Sequence, residues 1–144
     1  DTDLIIQQSE KRLLQEIIDG EGIKRFLEIE EKAILSLNLE NHVIATGGSV
    51  VYGQNAMQSL KCNGVVIYLR LEHEEIERRI NNIKSRGIAR EKGQTLMSLF
   101  VERGPLYAKY ADVVIDCTGR SIEEIVDFAK EKAVNYRSFL NVYK

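Results

Sequence analysis

An α/β fold with a parallel sheet is the architecture this chain predicts, because apolar β-favouring runs alternate with helically periodic segments. Three runs supply the strands: Val43-Ile44-Ala45-Thr46, Val65-Val66-Ile67-Tyr68-Leu69 and Val113-Val114-Ile115. With 144 residues, 44% of them hydrophobic, the apolar material suffices for one core and one domain. A three-layer arrangement, helices on both faces of the sheet, follows from that alternation.

The elements can be justified in order. Leu4-Ile5-Ile6 opens the chain, and Ser9 is expected to cap a helix bearing Leu13, Leu14, Ile17 and Ile18, which Asp19-Gly20 stops. A second helix starts near Gly22, with Ile23, Phe26, Glu30, Ala33, Ile34 and Leu37 on one stripe. Glu30 is either a carboxylate among apolar neighbours or a residue at the stripe's edge. The run 43–46 ends in Gly47-Gly48-Ser49, where a chain able to adopt φ > 0 and lacking side chains admits a ligand close to the backbone. A plain Gly-Gly turn is the competing reading.

A short helix from about Asn55 to Leu60 follows, ended by Gly64. The apolar run 65–69 reads as a strand buried on both faces. His73 to Asn82 is a charged helix with Ile76 and Ile80 inward, and the polar, glycine-punctuated stretch 85–95 reads as a lid loop. Leu96, Leu99 and Phe100 resume a helix that Gly104-Pro105 should interrupt before Leu106 to Ala111. After the third strand, Ser121 and Glu124 form a capping box for a helix with Ile122, Ile125, Val126 and Ala129 inward. The tail 134–144 carries no readable motif.

A formal charge of −2 and a pI near 5.8 give no basic footprint for nucleic acid or an anionic membrane. Cys62 and Cys117 lack metal-ligand spacing and read as buried, reduced thiols, consistent with a cytoplasmic protein. His42 and His73 read as ordinary surface histidines. No run of about 18 apolar residues is present.

Taken as an ordered set, Asp1-x-Asp3, Gly22…Phe26…Glu30, Thr46-Gly47-Gly48, Arg86, and Arg103-x-Pro105-Leu106-Tyr107 with Ala111-Asp112 resembles shikimate kinase, from Asp1 to about Ala129. The resemblance implies a P-loop, nucleoside-monophosphate-kinase-like fold, ATP and Mg²⁺ as cofactors, a small-molecule hydroxyl as acceptor, and a monomer or weak dimer. It implies that Asp1 lies near magnesium through water and that Asp3 orients or deprotonates the acceptor hydroxyl. Gly47, Gly48 and Ser49 would form the acceptor's floor and Arg103 would hold its anion. Arg86 on the lid would stabilise the transferring phosphate, as phosphoryl transfer depends on positioning and charge neutralisation. Arg79 and Arg120 would flank the nucleotide. Each has a plainer reading: Asp1 and Asp3 as a turn, Arg79 paired with Glu75 one helical turn back, Arg103 capping helix carbonyls, Arg120 as a surface residue.

The chain departs from the family pattern at four places. Leu27 stands where the family has an arginine for the substrate carboxylate, and Arg25 lies about 200° away around the helix. Ser49 replaces a third glycine, and Arg86-Gly87 replaces Arg-Pro. Leu27 and Ser49 together argue for an acceptor other than shikimate. Finally, these residues contain no GxxxxGK[ST]; the phosphate loop and the first, central strand are expected upstream of Asp1, leaving a domain N-terminally incomplete, poorly stable and inactive by itself. A non-catalytic binding module and a gluconate-type sugar-acid kinase are the alternative readings.

Overall fold

The computed structural model describes residues 1–81, 88–90 and 93–142. Helix α1 (Thr2–Glu10) begins at Asp1, whose side chain accepts the Asp3 amide, and ends at Lys11 in the left-handed region. The helix expected to be capped by Ser9 begins instead at Leu13, whose amide donates to Glu16 at 2.9 Å. The Ser9 hydroxyl sits within the last turn of α1 and donates to the Ile6 carbonyl at 3.0 Å. Helix α2 (Leu14–Leu35) runs through Asp19-Gly20 and breaks its regular path only at Gly22, at φ 82° and ψ 166°. That φ strains any residue with a Cβ, so the predicted boundary between two helices survives as a kink at a glycine.

Residues 43–46 form an extended segment and no strand. Apolar β-formers become a strand only when a neighbouring chain satisfies their backbone groups, and the contact found here is the Thr2 amide donating to the Ala45 carbonyl at 2.9 Å. Val43 is accordingly 98% exposed. The segment leads into a short 3₁₀ turn, Gly48–Tyr52. Helix α3 (Gln54–Asn63) follows; its N-cap, Gly53, has no side chain, and Glu31 of α2 accepts the Asn55 and Ala56 amides instead.

Strands β1 (Ile67–Arg70) and β2 (Val113–Asp116) pair in parallel, with Ile67 opposite Val113 and Arg70 opposite Asp116. Between them run helices α4 (His73–Asn81) and α5 (Leu96–Tyr110). Contrary to expectation, β1 is not covered on both faces: Leu69 is exposed, as is Val114, the partner of Tyr68 on β2. Helix α5 is continuous through Pro105. Val101, whose carbonyl loses its partner to the proline, is on an exposed face where water can replace the missing amide. Helix α6 (Ile122–Val142) has its capping box, with Ser121 and Glu124 bonded reciprocally, and it absorbs most of the tail. Ile122 and Val126 face outward; Ile125, Phe128 and Ala129 are the half-buried set on α6, which packs on β2.

Two apolar clusters hold the chain together. One joins Ile6, Leu14, Ile17, Phe26, Ile29 and Ala89, with Leu27 packed against it. The other joins Ile34, Val50, Val51, Ala56 and Met57, with Leu60, Val66, Leu106 and Tyr107 around it. Helix α2 contributes to both, and Glu30 falls between Ile29 in the first and Ile34 in the second. Asp112, at the end of α5, joins the second cluster to the sheet: it accepts from Lys61 at 2.5 Å, the Val66 amide at 2.9 Å and the Tyr136 hydroxyl at 3.2 Å. Its place in the Ala111-Asp112 motif is thus structural. Cys117 is buried, whereas Cys62 is exposed rather than buried as expected. His73 likewise is half-buried, with its ring edge-on to Phe100 at 5.7 Å. Among the described residues, no helix is long and apolar enough to cross a membrane.

Candidate active site

The turn at Gly47-Gly48 is where the two clusters, α1 and α5 meet. A Cβ on Gly47 would lie 2.8 Å from Glu30 Oε1 and 3.0 Å from Asp3 Oδ1. One on Gly48 would lie 2.8 Å from the Tyr107 hydroxyl and 3.5 Å from Arg103 Nη1. The diglycine is therefore a floor with carboxylates on one side and a guanidinium and phenol on the other. Close approach imposes the glycines, and φ does not: Gly47 has φ −61°, and neither glycine is among those with positive φ.

Glu30 is the residue that the sequence left undecided. Only 2% exposed, its Oε1 accepts the Ser49 hydroxyl at 2.9 Å. Burial pushes its carboxyl up to about 7; the Ser49 bond opposes the shift, neighbouring Asp3 adds to it and Arg103 partly offsets it. Ser49 is itself buried and turned toward Glu30, so its side chain is part of the wall behind the floor. The signal for Glu30 was its spacing: a carboxylate four residues after Phe26 and four before Ile34 lies on the buried stripe of α2.

Arg103 is 7% exposed. Its Nε donates to the Tyr52 hydroxyl at 3.2 Å and its Nη2 to the Ala89 carbonyl, and the Tyr52 ring lies 5.2 Å from the guanidinium carbon. The Tyr107 hydroxyl donates to the Gly48 carbonyl at 2.8 Å, fixing the floor to α5. Burial raises the Tyr107 phenol, with Arg103 opposing the shift, so it stays a donor at neutral pH. Tyr52 and Ala89 were not singled out from sequence, and Tyr107 only as part of the Arg103-x-Pro105-Leu106-Tyr107 motif with no role of its own; they meet Arg103 through the fold.

Asp1 and Asp3 share the first turn of α1, and Asp1 Oδ1 accepts the Asp3 amide at 3.0 Å. The remaining candidates lie elsewhere. Arg79 Nε donates to Glu75 at 2.7 Å, the helical pairing its plainer reading expects. Arg120 donates to the Asp116 carbonyl at 2.9 Å and stacks 4.3 Å from the Phe128 ring. The two arginines both bear on Cys117, whose thiol burial and Asp116 push up and whose shift these cations oppose. Cys117 directly follows β2, at the carboxyl end where open α/β sheets bind ligands. Arg86, and residues 85–87 and 91–92 of the expected lid, lie outside the described residues.

A parallel α/β framework thus brings an aspartate pair, a close-approach diglycine and a buried arginine together. A family model described as shikimate kinase matches residues 1–133. The chain belongs to the shikimate kinase family. It is 34% identical over 130 residues to a shikimate kinase of Caldanaerobacter subterraneus, covering 88% of this chain and 75% of that protein. Identity to a shikimate kinase of Bacillus cereus is 30% over 132 residues, covering 92% and 80% respectively. The crystal structure of the Bacteroides thetaiotaomicron shikimate kinase matches with a TM-score of 0.72 at 19% identity, over 98% of this chain and 82% of that one. The fold is thus that of the P-loop kinases, and the family is one of ATP-dependent kinases.

Proposed function

We propose that this protein transfers the terminal phosphoryl group of ATP to a hydroxyl of shikimate, with the acceptor lying on Gly47-Gly48. The observation carrying this reading is the floor itself, closed by Asp3 and Glu30 on one side and by Arg103 and Tyr107 on the other. Arg103 would bind the acceptor's carboxylate, and Asp3 would accept the proton of the reacting hydroxyl. Glu30, half-protonated near neutral pH, would hold Asp3's surroundings without adding a second full charge. Arg79 and Arg120 would frame the nucleotide base, and Arg86 would supply the lid cation.

The donors on α1 suit magnesium: Asp1 and Asp3 are hard oxygen ligands at the head of one helix, and Mg²⁺ commonly takes one or two carboxylates plus phosphate and water. When bound, the ion would offset charge on the phosphate oxygens. Asp1 would hold it through water.

Two sequence arguments against shikimate bear on this reading. Ser49 no longer counts, since its hydroxyl faces Glu30. Leu27 packs against the first apolar cluster, so the carboxylate loses a cation and is held by Arg103; a missing charge-assisted bond of about 1.5–3 kcal/mol weakens acceptor binding by about one to two decades. Shikimate kinases are the named relatives at 30–34% identity, and they lend no support to a sugar-acid kinase or a non-catalytic module. An ADP-release assay on the whole protein as the cell makes it, offered shikimate and gluconate separately, tests the proposal. Release with shikimate is the expected result; release with gluconate alone, or with neither, would overturn it.

A further inference from the structure

The guanidinium of Arg103 has three nitrogen corners, and the protein fixes two of them. Nε donates to the Tyr52 hydroxyl at 3.2 Å, and Nη2 donates to the Ala89 carbonyl. Nη1 stands at the floor beside the Tyr107 hydroxyl, 3.5 Å from where a Cβ on Gly48 would stand. A planar guanidinium pinned at two corners presents its third in a set direction, which is what recognition of a carboxylate requires.

Tyr52 can serve Arg103 only as an acceptor, so its own proton must go elsewhere. It goes to Glu102: the Tyr52 hydroxyl donates to Glu102 Oε1 in a short bond. The other oxygen, Oε2, is held by Gln94 Nε2 at 2.7 Å. Donation thus runs one way on each side of Glu102, from Arg103 to Tyr52 to Glu102 and from Gln94 to Glu102. Remove the carboxylate and the phenol's proton loses its acceptor, so the hydroxyl can turn and cease to accept from Nε. The ring adds a second constraint, because its centroid lies 5.2 Å from the guanidinium carbon.

We propose that Tyr52 and Glu102 are positioning residues that set the direction of Arg103 toward the acceptor. This rests on the reading of Arg103 as the acceptor's anion partner. Neither residue touches the floor, and both act through the arginine. The pair is partnered across 50 residues of sequence, while Glu102 and Arg103 are neighbours on α5.

Steady-state kinetics on the whole protein, varying shikimate at saturating ATP and then the reverse, tests the proposal with Y52F, E102A, E102Q and R103M. Y52F keeps the ring and loses the relay; it and E102A should raise KM for shikimate about tenfold while KM for ATP stays within about twofold. E102Q keeps an acceptor oxygen and should behave like the wild type. An unchanged shikimate KM in Y52F, or equal rises in both KM values, overturns the positioning role. If R103M also leaves shikimate KM unmoved, the anion reading itself fails; if R103M raises it and Y52F does not, only the positioning falls.

Discussion

The surroundings of the diglycine and the carboxyl end of β2 handle charge in opposite ways. Around the diglycine, Glu30 and Arg103 are buried and their partners are distant in sequence: Ser49 is 19 residues from Glu30, and Tyr52 is 51 from Arg103. Around the end of β2 the charges are largely exposed and paired at the surface. Glu75 binds Arg78 and Arg79 within one helical turn, and Arg70 meets Asp116 across the strand pair at 2.8 Å. The carboxyl groups report the same contrast. Glu30 is raised by burial, whereas Glu75 is drawn down to about 2 by Arg78 and then Arg79, and Asp116 is drawn well below the usual range chiefly by Arg70. A buried charge is costly to leave unpaired, while an exposed pair contributes little. Substitutions around the diglycine should therefore disturb folding and function together, and those at the end of β2 should leave folding almost unchanged and, on the proposed reading, change nucleotide affinity alone.

The largest effect is expected at Arg103. R103M removes the cation that faces Glu30 and, on the proposed reading, the acceptor, and kcat/KM for shikimate should fall about 10²–10⁴-fold, the worth of two charge-assisted hydrogen bonds. Steady-state kinetics with shikimate varied will show it. Gly47 comes next. An alanine there would press 2.8 Å from Glu30 Oε1 and 3.0 Å from Asp3 Oδ1, and G47A should lose about 1–3 kcal/mol in urea unfolding as the two carboxylates are forced aside.

Glu30 gives a prediction with a definite sign. Its carboxyl sits near 7 in the folded chain against an ordinary 4.5. Between those values the folded state holds a proton that the unfolded state has released, so stability falls as pH rises and levels off above about 7. Urea unfolding of the wild type should lose about 2–3 kcal/mol from this group between pH 5 and pH 8. E30Q keeps an acceptor for Ser49 and should lose this contribution to the slope, becoming the more stable protein at the alkaline end. The smallest effect belongs to Arg79. R79A breaks an exposed helical pair and should change stability by less than about 0.5 kcal/mol, with KM for ATP raised and KM for shikimate unmoved.

The same contrast governs what could be read from the sequence. Local features were legible: the Ser121–Glu124 capping box, strands within 65–69 and at 113–115, a helix boundary near Gly22 that survives as a kink, and the Glu75–Arg79 pair. All depend on residues close in sequence or on periodicity. Features needing a distant partner were not. Residues 43–46 have strand-forming side chains, but a strand needs a second backbone, and composition does not reveal one. Pro105 looked like a break because the sequence does not show that Val101 faces solvent. Ile122 and Val126 looked like core because helical spacing fixes a stripe without fixing what covers it. At the site, Asp3, Gly47, Gly48 and Arg103 were visible through their motif. Glu30 was visible only as an anomaly on an apolar stripe, and Tyr52 and Glu102 not at all.

The central claim is that the acceptor lies over Gly47 and Gly48, between the carboxylates and Arg103. Titrating shikimate into the ¹⁵N-labelled whole protein, while following assigned amide resonances, tests it most directly. The Gly47, Gly48 and Ser49 amides should move together and saturate with one affinity, and R103M should weaken that affinity without redirecting the shifts. Saturable shifts confined to the neighbourhood of Arg79, Cys117 and Arg120, with the diglycine amides still, would contradict the claim.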